Sequence, residues 1–370
     1  MIFYDVPKIQ HKGLREIHCG EYTLVRYTKP LQDPCLEKYR SVVYKGDKLV
    51  AFSPPRSTPI EEFELECSSS KTAVVRDYID GIMIYVWFDN DVWHTSTRSC
   101  VEGEKIFRRG VEPVSRLDDV ECEVHPLTPY ELFKQYTSKF ETFFELLEKS
   151  TTYVFTLTDP SSFNVVKPST LECYLTNVYK ILDGNEVVNV PLESVLPSLP
   201  GVNVPTVHYF RTYLDIVETL STSSYTVKGF MLYDPVNDKR AKMLNPAYLK
   251  VHKLLSSKPN FNELVLDAIL DKSTIEIESL HPDFSKNIAA LEKNILRCSN
   301  LLYSYYLECF VKKVKPHKDF PPLYRGHMYE LQKMYLQSFR TLGFRMNKTV
   351  VLDYIKGLPT LVLMPLLRVY

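Results

Sequence analysis

Apolar and polar positions alternate in short runs over roughly the first 255 residues, a pattern that favours β-strands over helices. Ser41–Tyr44 and Leu49–Phe52 are two such runs, and the turn sequence around Gly46 between them predicts a hairpin. Ile82–Phe88 and Val92–Thr97 are separated by a turn of Asp and Asn residues and predict a second hairpin. Further strands are predicted at Tyr153–Thr158, Glu172–Leu182 and Gly229–Tyr233.

One stretch of this region has helical spacing instead. Thr128 and Glu131 stand three positions apart with Pro129 between them, which is the spacing of a capping box at the start of a helix. The apolar residues that follow recur every three or four positions: Leu132, Phe133, Tyr136, Phe140, Phe143, Phe144 and Leu147. The sequence therefore predicts a helix that begins at Thr128 and buries an apolar face reaching Leu147.

After about residue 256 the strand pattern fades and helical spacing replaces it. The predicted helices are Phe261–Leu270, Phe284–Val311, Tyr324–Leu342 and Val350–Lys356. Prolines at 316, 321 and 322 separate two of them. We therefore expect an α+β protein, with a strand-rich domain over 1–255 and an all-α C-terminal domain over 256–370.

Composition narrows the class of protein. Of the 370 residues, 45% are hydrophobic and 24% are charged, values typical of a globular protein. No window approaches the roughly 18 apolar residues of a membrane span, and the N-terminal residues lack the apolar segment of a signal peptide. We expect a soluble intracellular protein that does not bind a membrane.

Several common site motifs are absent from the sequence. Only 12 residues are glycine, and neither GxxxxGK[ST] nor GxGxxG occurs, which argues against glycine-rich phosphate loops. The eight cysteines contain no CxxC pair, and no HExxH occurs, so no metal site is predicted. The cysteines are expected to be scattered, reduced side chains.

Charge is balanced overall but not along the chain. Lys and Arg number 45, as do Asp and Glu, so the net charge does not indicate a nucleic-acid-binding protein. Residues 281–370, however, hold 14 Lys and Arg against 6 Asp and Glu. The densest cluster is Lys312, Lys313, Lys315 and Lys318. This cluster is either a solvated face or a contact for a nucleic-acid backbone.

A series of sequence blocks resembles one known family. The blocks are Leu36–Tyr44, Pro54–Arg56, Tyr78–Ile84, Val92–Ser99, Leu127–Phe133, Tyr153–Pro160, Val227–Leu232 and Arg240–Tyr248. Their order and amino-acid sequences resemble those of the RNA ligase 1-like family of phages and large DNA viruses, part of the covalent nucleotidyltransferase superfamily. The resemblance covers roughly 220 residues plus a similar helical tail. It implies a nucleotidyltransferase domain in which antiparallel sheets flank a cleft.

In that family a lysine attacks the α-phosphate of ATP, a carboxylate binds a divalent metal and a glutamate holds the ribose. Here the resemblance places Tyr78 at the lysine position, Lys228 at the metal carboxylate and Thr156 at the ribose glutamate. Exchanging a carboxylate for Lys228 turns an attraction for a metal ion into a repulsion of similar size. The chain therefore resembles a degenerate family member in which adenylyl transfer has been lost.

The positions that would hold phosphate, in contrast to the catalytic ones, largely keep suitable residues. The resemblance assigns phosphate or nucleotide binding to Arg40, Arg56, Asp80, Arg240 and Lys242. Two interpretations of this pocket stay open: Lys228 either pairs with a carboxylate such as Asp80 at the former metal position, or belongs to a cationic pocket that still binds an anion.

Three interpretations of the protein follow from these observations. The first is a pseudoenzyme that binds RNA or another nucleic acid, or serves as a structural or interaction component, for example of a viral assembly in the host cytoplasm or the virion. The second is an active ATP-dependent ligase that uses Tyr78 or Lys228 as an unusual nucleophile. ATP and Mg²⁺ are expected as cofactors only in that second case. The third is an unrelated α+β protein with a helical tail.

Overall fold

A computed structural model describes residues 3–31, 33–67, 73–102, 127–140, 142–160, 164–195, 199, 201–234, 239–255, 261–280 and 285–367. These residues form two compact units, the first ending at Leu254 and the second beginning at Leu255. The first unit contains strands and short helices, whereas the second is helical.

Strands dominate the first unit, and the pairs that they form within the described residues are antiparallel. They are β1 (Phe3–Asp5), β2 (Leu14–Cys19), β3 (Tyr22–Tyr27), β4 (Val42–Lys45), β5 (Lys48–Phe52), β6 (Val74–Asp77), β7 (Ile82–Asp89), β8 (Val92–Thr97), β9 (Cys100–Val101), β10 (Thr151–Thr158), β11 (Glu172–Ile181), β12 (Glu186–Val190), β13 (Val207–His208), β14 (Gly229–Asp234) and β15 (Lys239–Leu244).

Helices are short in the first unit and longer in the second. They are α1 (Ile60–Cys67), α2 (Pro129–Thr137), α3 (Leu192–Val195), α4 (Tyr213–Thr222), α5 (Pro246–Leu255), α6 (Phe261–Leu270), α7 (Thr274–Leu280), α8 (Ser285–Tyr306), α9 (Pro322–Met334), α10 (Lys348–Lys356) and α11 (Thr360–Leu367).

The largest sheet has the strand order β1-β12-β11-β10-β7-β8-β9 and buries a core on each face. On β7, Tyr85 and Trp87 enter a core shared with the sheet β2-β3-β4-β5. Ile84 and Val86 point to the opposite face, into a core that α2 helps to form. Successive side chains of a strand alternate between faces, so a strand covered on both sides reads as a continuous apolar run.

A third sheet has the order β13-β6-β14-β15 and carries α1 and α4 on one face. Phe63 of α1 and Ile216 and Leu220 of α4 are buried against Phe230 and Leu232 of β14. This core holds β6 and β14 side by side, and the ends of those two strands position the residues of the candidate site.

The strand predictions are confirmed. Both predicted hairpins form, as β4-β5 and as β7-β8. In the second hairpin, Asn90 and Asp91 have φ values of 50° and 60°, the left-handed turn geometry that Asn and Asp tolerate best among residues with a side chain. The strands predicted near 153, 172 and 229 correspond to β10, β11 and β14. The predicted α+β class with antiparallel sheets is therefore confirmed.

The predicted helix at Thr128 begins as expected but ends early. Thr128 Oγ1 accepts a hydrogen bond from the backbone N–H of Glu131 at 3.2 Å, and the Glu131 carboxylate accepts one from the backbone N–H of Thr128 at 2.7 Å. The predicted extension towards Leu147 is wrong, because α2 ends at Thr137. The Thr137 hydroxyl donates to the carbonyl of Phe133 at 3.0 Å, and hydrogen bonds of this kind weaken a helix.

The second unit is all-α within the described residues, as predicted. Helices α6, α8, α9 and α10 correspond to the four predicted helices, whereas α7 and α11 were not predicted. Single π-helical turns, Leu307–Val311 and Tyr335–Phe339, continue α8 and α9. Tyr306, Tyr324 and Leu331 are buried in this unit. Across the part of the chain that the structure describes, no helix combines the length and apolar character needed to cross a membrane.

Candidate anion-binding cleft

A cleft of about 860 Å³ opens in the first unit between the largest sheet and the third sheet. The largest sheet contributes Met83, Thr156 and Asn177, and β14 of the third sheet contributes Met231 and Tyr233. Loops between strands complete the lining. The prediction of a cleft flanked by antiparallel sheets is confirmed.

Tyr78 and Lys228 lie next to each other because they flank paired strands. Tyr78 follows β6 and Lys228 precedes β14, and the backbone N–H of Tyr78 donates to the carbonyl of Gly229 at 2.9 Å. Gly229 has a φ of 144°, and a Cβ there would lie 2.1 Å from the carbonyl oxygen of Met243. Only glycine therefore allows this close pairing beside Lys228.

The side chain of Lys228 is held between a carboxylate and an aromatic ring. Its Nζ lies 3.1 Å from Asp80 Oδ1, donates to the carbonyl of Ile79 at 3.3 Å, and sits 4.0 Å from the centre of the Tyr78 ring. The Lys228 and Asp80 side chains are only 14% and 11% exposed. The pairing of Lys228 with Asp80, one of the two interpretations of the sequence, is thus present in the structure.

Asp80 makes further hydrogen bonds besides this ion pair. Tyr248 Oη donates to Asp80 Oδ1 at 3.0 Å, and the backbone N–H of Val166 donates to Oδ2 at 3.1 Å. The next residue, Gly81, packs so closely on β10 that a Cβ would lie 2.3 Å from the carbonyl oxygen of Leu157. Asp80 is therefore a fixed structural carboxylate that is already engaged.

The backbone of Lys228 is anchored by a buried amide. Asn245 is fully buried, and its backbone N–H donates to the carbonyl of Lys228 at 3.0 Å. Its side-chain Nδ2 donates to the carbonyl of Val227 at 2.9 Å and to that of Ser224 at 2.7 Å. The position of Lys228 is therefore determined by the fold and needs no bound ligand.

Positive charge predominates in the cleft. Eight lining residues are cationic: Lys29, Arg40, Arg56, Arg76, Arg98, Lys228, Arg240 and Lys242. Asp77 is the one acidic side chain that lines the cleft within the described ranges, and its Oδ1 lies 2.7 Å from His208 Nε2. The field inside the cleft is therefore strongly positive, as in sites that bind anions.

Few of these cations have an acidic partner. Arg56 lies 3.6 Å from Glu37, and Arg76 lies 2.5 Å from Glu193. The structure shows no ion pair to a described carboxylate for Lys29, Arg40, Arg98, Arg240 or Lys242. The Nε atom of Arg98 is buried and has no hydrogen-bond acceptor among the described residues.

Burial and repulsion between neighbouring cations lower the pKa values of two of these side chains. Burial, and after it the charge of Arg240, lowers the pKa of the Arg40 guanidinium to about 10. The charge of Arg98, followed by burial and the charge of Lys242, lowers the pKa of the Lys29 amine. A bound anion would relieve this repulsion.

The same charges act on the Tyr78 phenol. Burial alone would raise its pKa, but the positive charges of Lys228, Lys242, Arg40 and Arg240 outweigh burial and lower the pKa below the ordinary 10.0. The phenolate of Tyr78 is therefore easier to form than that of a typical tyrosine.

A divalent metal does not fit the residues present. No group of three or more His, Cys, Asp or Glu side chains able to hold a metal occurs in the described part of the chain. Magnesium needs oxygen ligands in an open arrangement, whereas Asp80 is occupied by Lys228 and Asp77 contacts His208. The phosphate groups of a nucleotide, by contrast, fit the cationic side chains well.

The structure brings most of the sequence-predicted site residues together. Those lining the cleft are Tyr78, Thr156, Lys228, Arg40, Arg56, Arg240 and Lys242, with Asp80 directly behind Lys228. Sequence reasoning missed Lys29, Arg76 and Arg98. Arg98 could have been found, since it follows β8 within one of the resembling blocks, whereas Lys29 and Arg76 carry no local signal.

The lysine cluster of the C-terminal region lies in the second unit. Lys312, Lys313, Lys315 and Lys318 are all exposed. Lys315 lies 3.9 Å from Glu308, and the pair is largely solvated. The structure is compatible with both interpretations of this cluster, and its contact with nucleic acid stays a prediction.

Comparison with solved structures finds remote similarity to nucleic-acid ligases. An RNA ligase of Naegleria gruberi, solved as a mutant with ATP and Mn, matches with a TM-score of 0.40 and 15% identity over 54% of this chain. The match spans 58% of that ligase, less than two thirds of its length. A protein of Aquifex aeolicus described as an ATP-dependent DNA ligase matches with a TM-score of 0.41 and 12% identity, over 89% of this chain and 78% of that one. No protein-family model and no curated protein matches the chain.

Proposed function

We propose that this chain has a ligase-like nucleotidyltransferase fold and that its cleft binds the phosphate groups of a nucleotide or an RNA end without transferring an adenylyl group. The fold assignment is supported by the sequence blocks that resemble RNA ligases, which occur in order along the chain and of which seven out of eight contribute residues to one cleft.

The observation that carries the binding function is the uncompensated charge of the cleft. Five of the eight lining cations form no ion pair with a described carboxylate, and the one carboxylate of the described lining contacts His208. Arginine guanidinium groups hold phosphate through paired hydrogen bonds, and Arg98 has a buried donor with no acceptor among the described residues. An anion with several charged oxygens would satisfy these groups.

The loss of adenylyl transfer is supported by the groups beside the cations. The resemblance to RNA ligases places Tyr78 at the position of the attacking lysine and Lys228 at that of a metal carboxylate. Lys228 contacts Asp80 at 3.1 Å, so a metal ion approaching Asp80 would meet a like charge. The chain thus retains the means to hold phosphate but not the usual means to transfer a nucleotidyl group.

The test has two measurements on the same preparation. Calorimetric titration with ATP should show saturable binding that weakens steeply as salt is raised. Intact-mass spectrometry after incubation with ATP and either Mg²⁺ or Mn²⁺ should show no added adenylyl group, while an active ligase treated in parallel does gain one. Absence of ATP and RNA binding at low salt would contradict the binding function.

A second candidate function is covalent catalysis by Tyr78, which is favoured by the lowered pKa of its phenol. The phenolate oxygen would attack the α-phosphorus of ATP, the phenol proton would pass to solvent, and pyrophosphate would leave. A mass adduct that maps to Tyr78 and disappears in Tyr78→Phe would establish this function. An unmodified protein would exclude it under those conditions.

We also propose RNA as the macromolecular partner, with the exposed lysine cluster of the second unit as an additional phosphate contact. Filter binding of RNA to the full chain and to a variant with Lys312, Lys313, Lys315 and Lys318 changed to Gln tests this contact. Equal affinity and equal salt dependence of the two proteins would show that the cluster is only a solvated face. A role in a viral assembly remains part of this proposal.

A further inference from the structure

We propose that the ligand occupies the cleft as a metal-free polyphosphate anion: Lys228 fills the place of a divalent metal beside Asp80, and the neighbouring cations supply the charge that such a metal would otherwise supply. This inference deepens the proposed function and rests on it. It predicts that magnesium weakens binding, because magnesium removes charge from the ligand that the cleft would otherwise neutralise.

The positive charge of the cleft favours the more highly charged form of the ligand. Asp77 is the one acidic side chain of the described lining, and it contacts His208 at 2.7 Å. Arg56, Arg76 and Lys228 pair with carboxylates outside the lining, which leaves five of the eight lining cations without an ion pair to a described carboxylate. A nucleoside triphosphate carries about four negative charges when free and about two when bound to magnesium. At these separations the more highly charged form gains more from a positive cleft.

The carboxylate of Asp80 is already fully engaged. Its two carboxylate oxygens accept hydrogen bonds from Tyr248 and the Val166 backbone, and Lys228 Nζ lies 3.1 Å from Oδ1. The carboxylate is only 11% exposed. A metal ion would have to displace Lys228, whose backbone is held by a hydrogen bond from Asn245. The ammonium group of Lys228 therefore occupies the place that a divalent metal would take beside Asp80.

Several hydrogen-bond donors of the cleft cations lack acceptors among the described residues. The Nε atoms of Arg76 and Arg98 are buried without a hydrogen-bond acceptor among the described residues. Lys29, Arg40 and Lys242 have no described carboxylate partner, and repulsion from neighbouring cations contributes to the lowered pKa values of Lys29 and Arg40. A metal-bound phosphate offers fewer free oxygens to such donors than a bare one.

The experiment compares the affinity for ATP in EDTA with that in excess magnesium chloride, at equal ionic strength and by calorimetry. We expect the Kd to be about ten-fold lower in EDTA. Inorganic tripolyphosphate should show the same preference, because the discrimination lies in the phosphates. Tighter or equal binding with magnesium would overturn this inference and leave the proposed function standing. No binding of ATP, tripolyphosphate or RNA under either condition would overturn the proposed function itself.

Variants test whether the cleft cations cause the preference. Lys242 lines the cleft and is exposed, so Lys242→Met should fold normally. It should lower the ratio of the Kd in magnesium to the Kd in EDTA by about two-fold. Lys180 pairs with Glu148 and does not line the cleft, so Lys180→Met is the matched control and should leave the ratio unchanged. An equal ratio in Lys242→Met and wild type would refute the role of the cleft charge.

Discussion

Replacing Lys228 by methionine separates two opposing effects in the cleft. The substitution removes the partner of Asp80 from an ion pair whose side chains are 14% and 11% exposed, and breaking a buried pair costs about 3–5 kcal/mol. Two effects reduce that cost: Asp80 keeps its hydrogen bonds from Tyr248 and Val166, and the loss of one cation relieves repulsion within the cleft. We therefore expect Lys228→Met to lower the free energy of unfolding by about 1–2 kcal/mol.

Urea denaturation followed by tryptophan fluorescence measures this change in the first unit. The chain has two tryptophans, Trp87 and Trp93, and both lie in that unit. The double variant with Asp80→Asn should be less destabilised than the sum of the single variants, with a coupling of about 1 kcal/mol. Lys180→Met, which removes a solvated pair, should change stability by no more than about 0.5 kcal/mol. A Lys228→Met protein more stable than wild type would show that repulsion outweighs the ion pair.

Three further predictions concern neighbouring features. Gly81→Ala should destabilise the first unit by about 2 kcal/mol, because its Cβ would lie 2.3 Å from the carbonyl oxygen of Leu157; a variant as stable as wild type in the same urea assay would refute this packing argument. The difference between the ultraviolet titrations of wild type and Tyr78→Phe should show one phenol that ionises below pH 10.0, and an ordinary phenol titration would contradict this. Because the pKa of Tyr78 is depressed in the folded protein, its ionisation stabilises the fold fully above pH 10.0. That contribution is lost as the pH falls through the folded pKa. Thr128→Ala should cost about 1 kcal/mol by removing the helix cap, and an unchanged urea midpoint would refute that.

The sequence predicted those parts of the fold that local chemistry determines. The hairpin at Asn90 and Asp91 could be predicted because the turn residues and the flanking apolar runs are adjacent in the chain. The end of α2 at Thr137 could not be predicted from apolar spacing, because that spacing continues past Thr137 as far as Leu147.

The candidate site was predicted where its residues belong to recognisable blocks. Tyr78 and Lys228 were expected together, and the pairing of β6 with β14 brings them together. The contributions of Lys29 and Arg76 were not expected, because they reach the cleft from loops and strands that meet only in the folded chain. Their charges decide the character of the cleft, yet each is an ordinary basic residue in the sequence.

The crowding of positive charges in the cleft has a consequence for how this sequence has been selected. Like charges held together without an anion oppose folding, so neutral replacements at Lys29 or Lys242 would relieve strain in the empty protein. A protein whose only duty was structural could accept such replacements and gain stability. The cationic cleft thus makes the ligand-free protein less stable than it could be. A bound anion would restore that stability through its binding free energy.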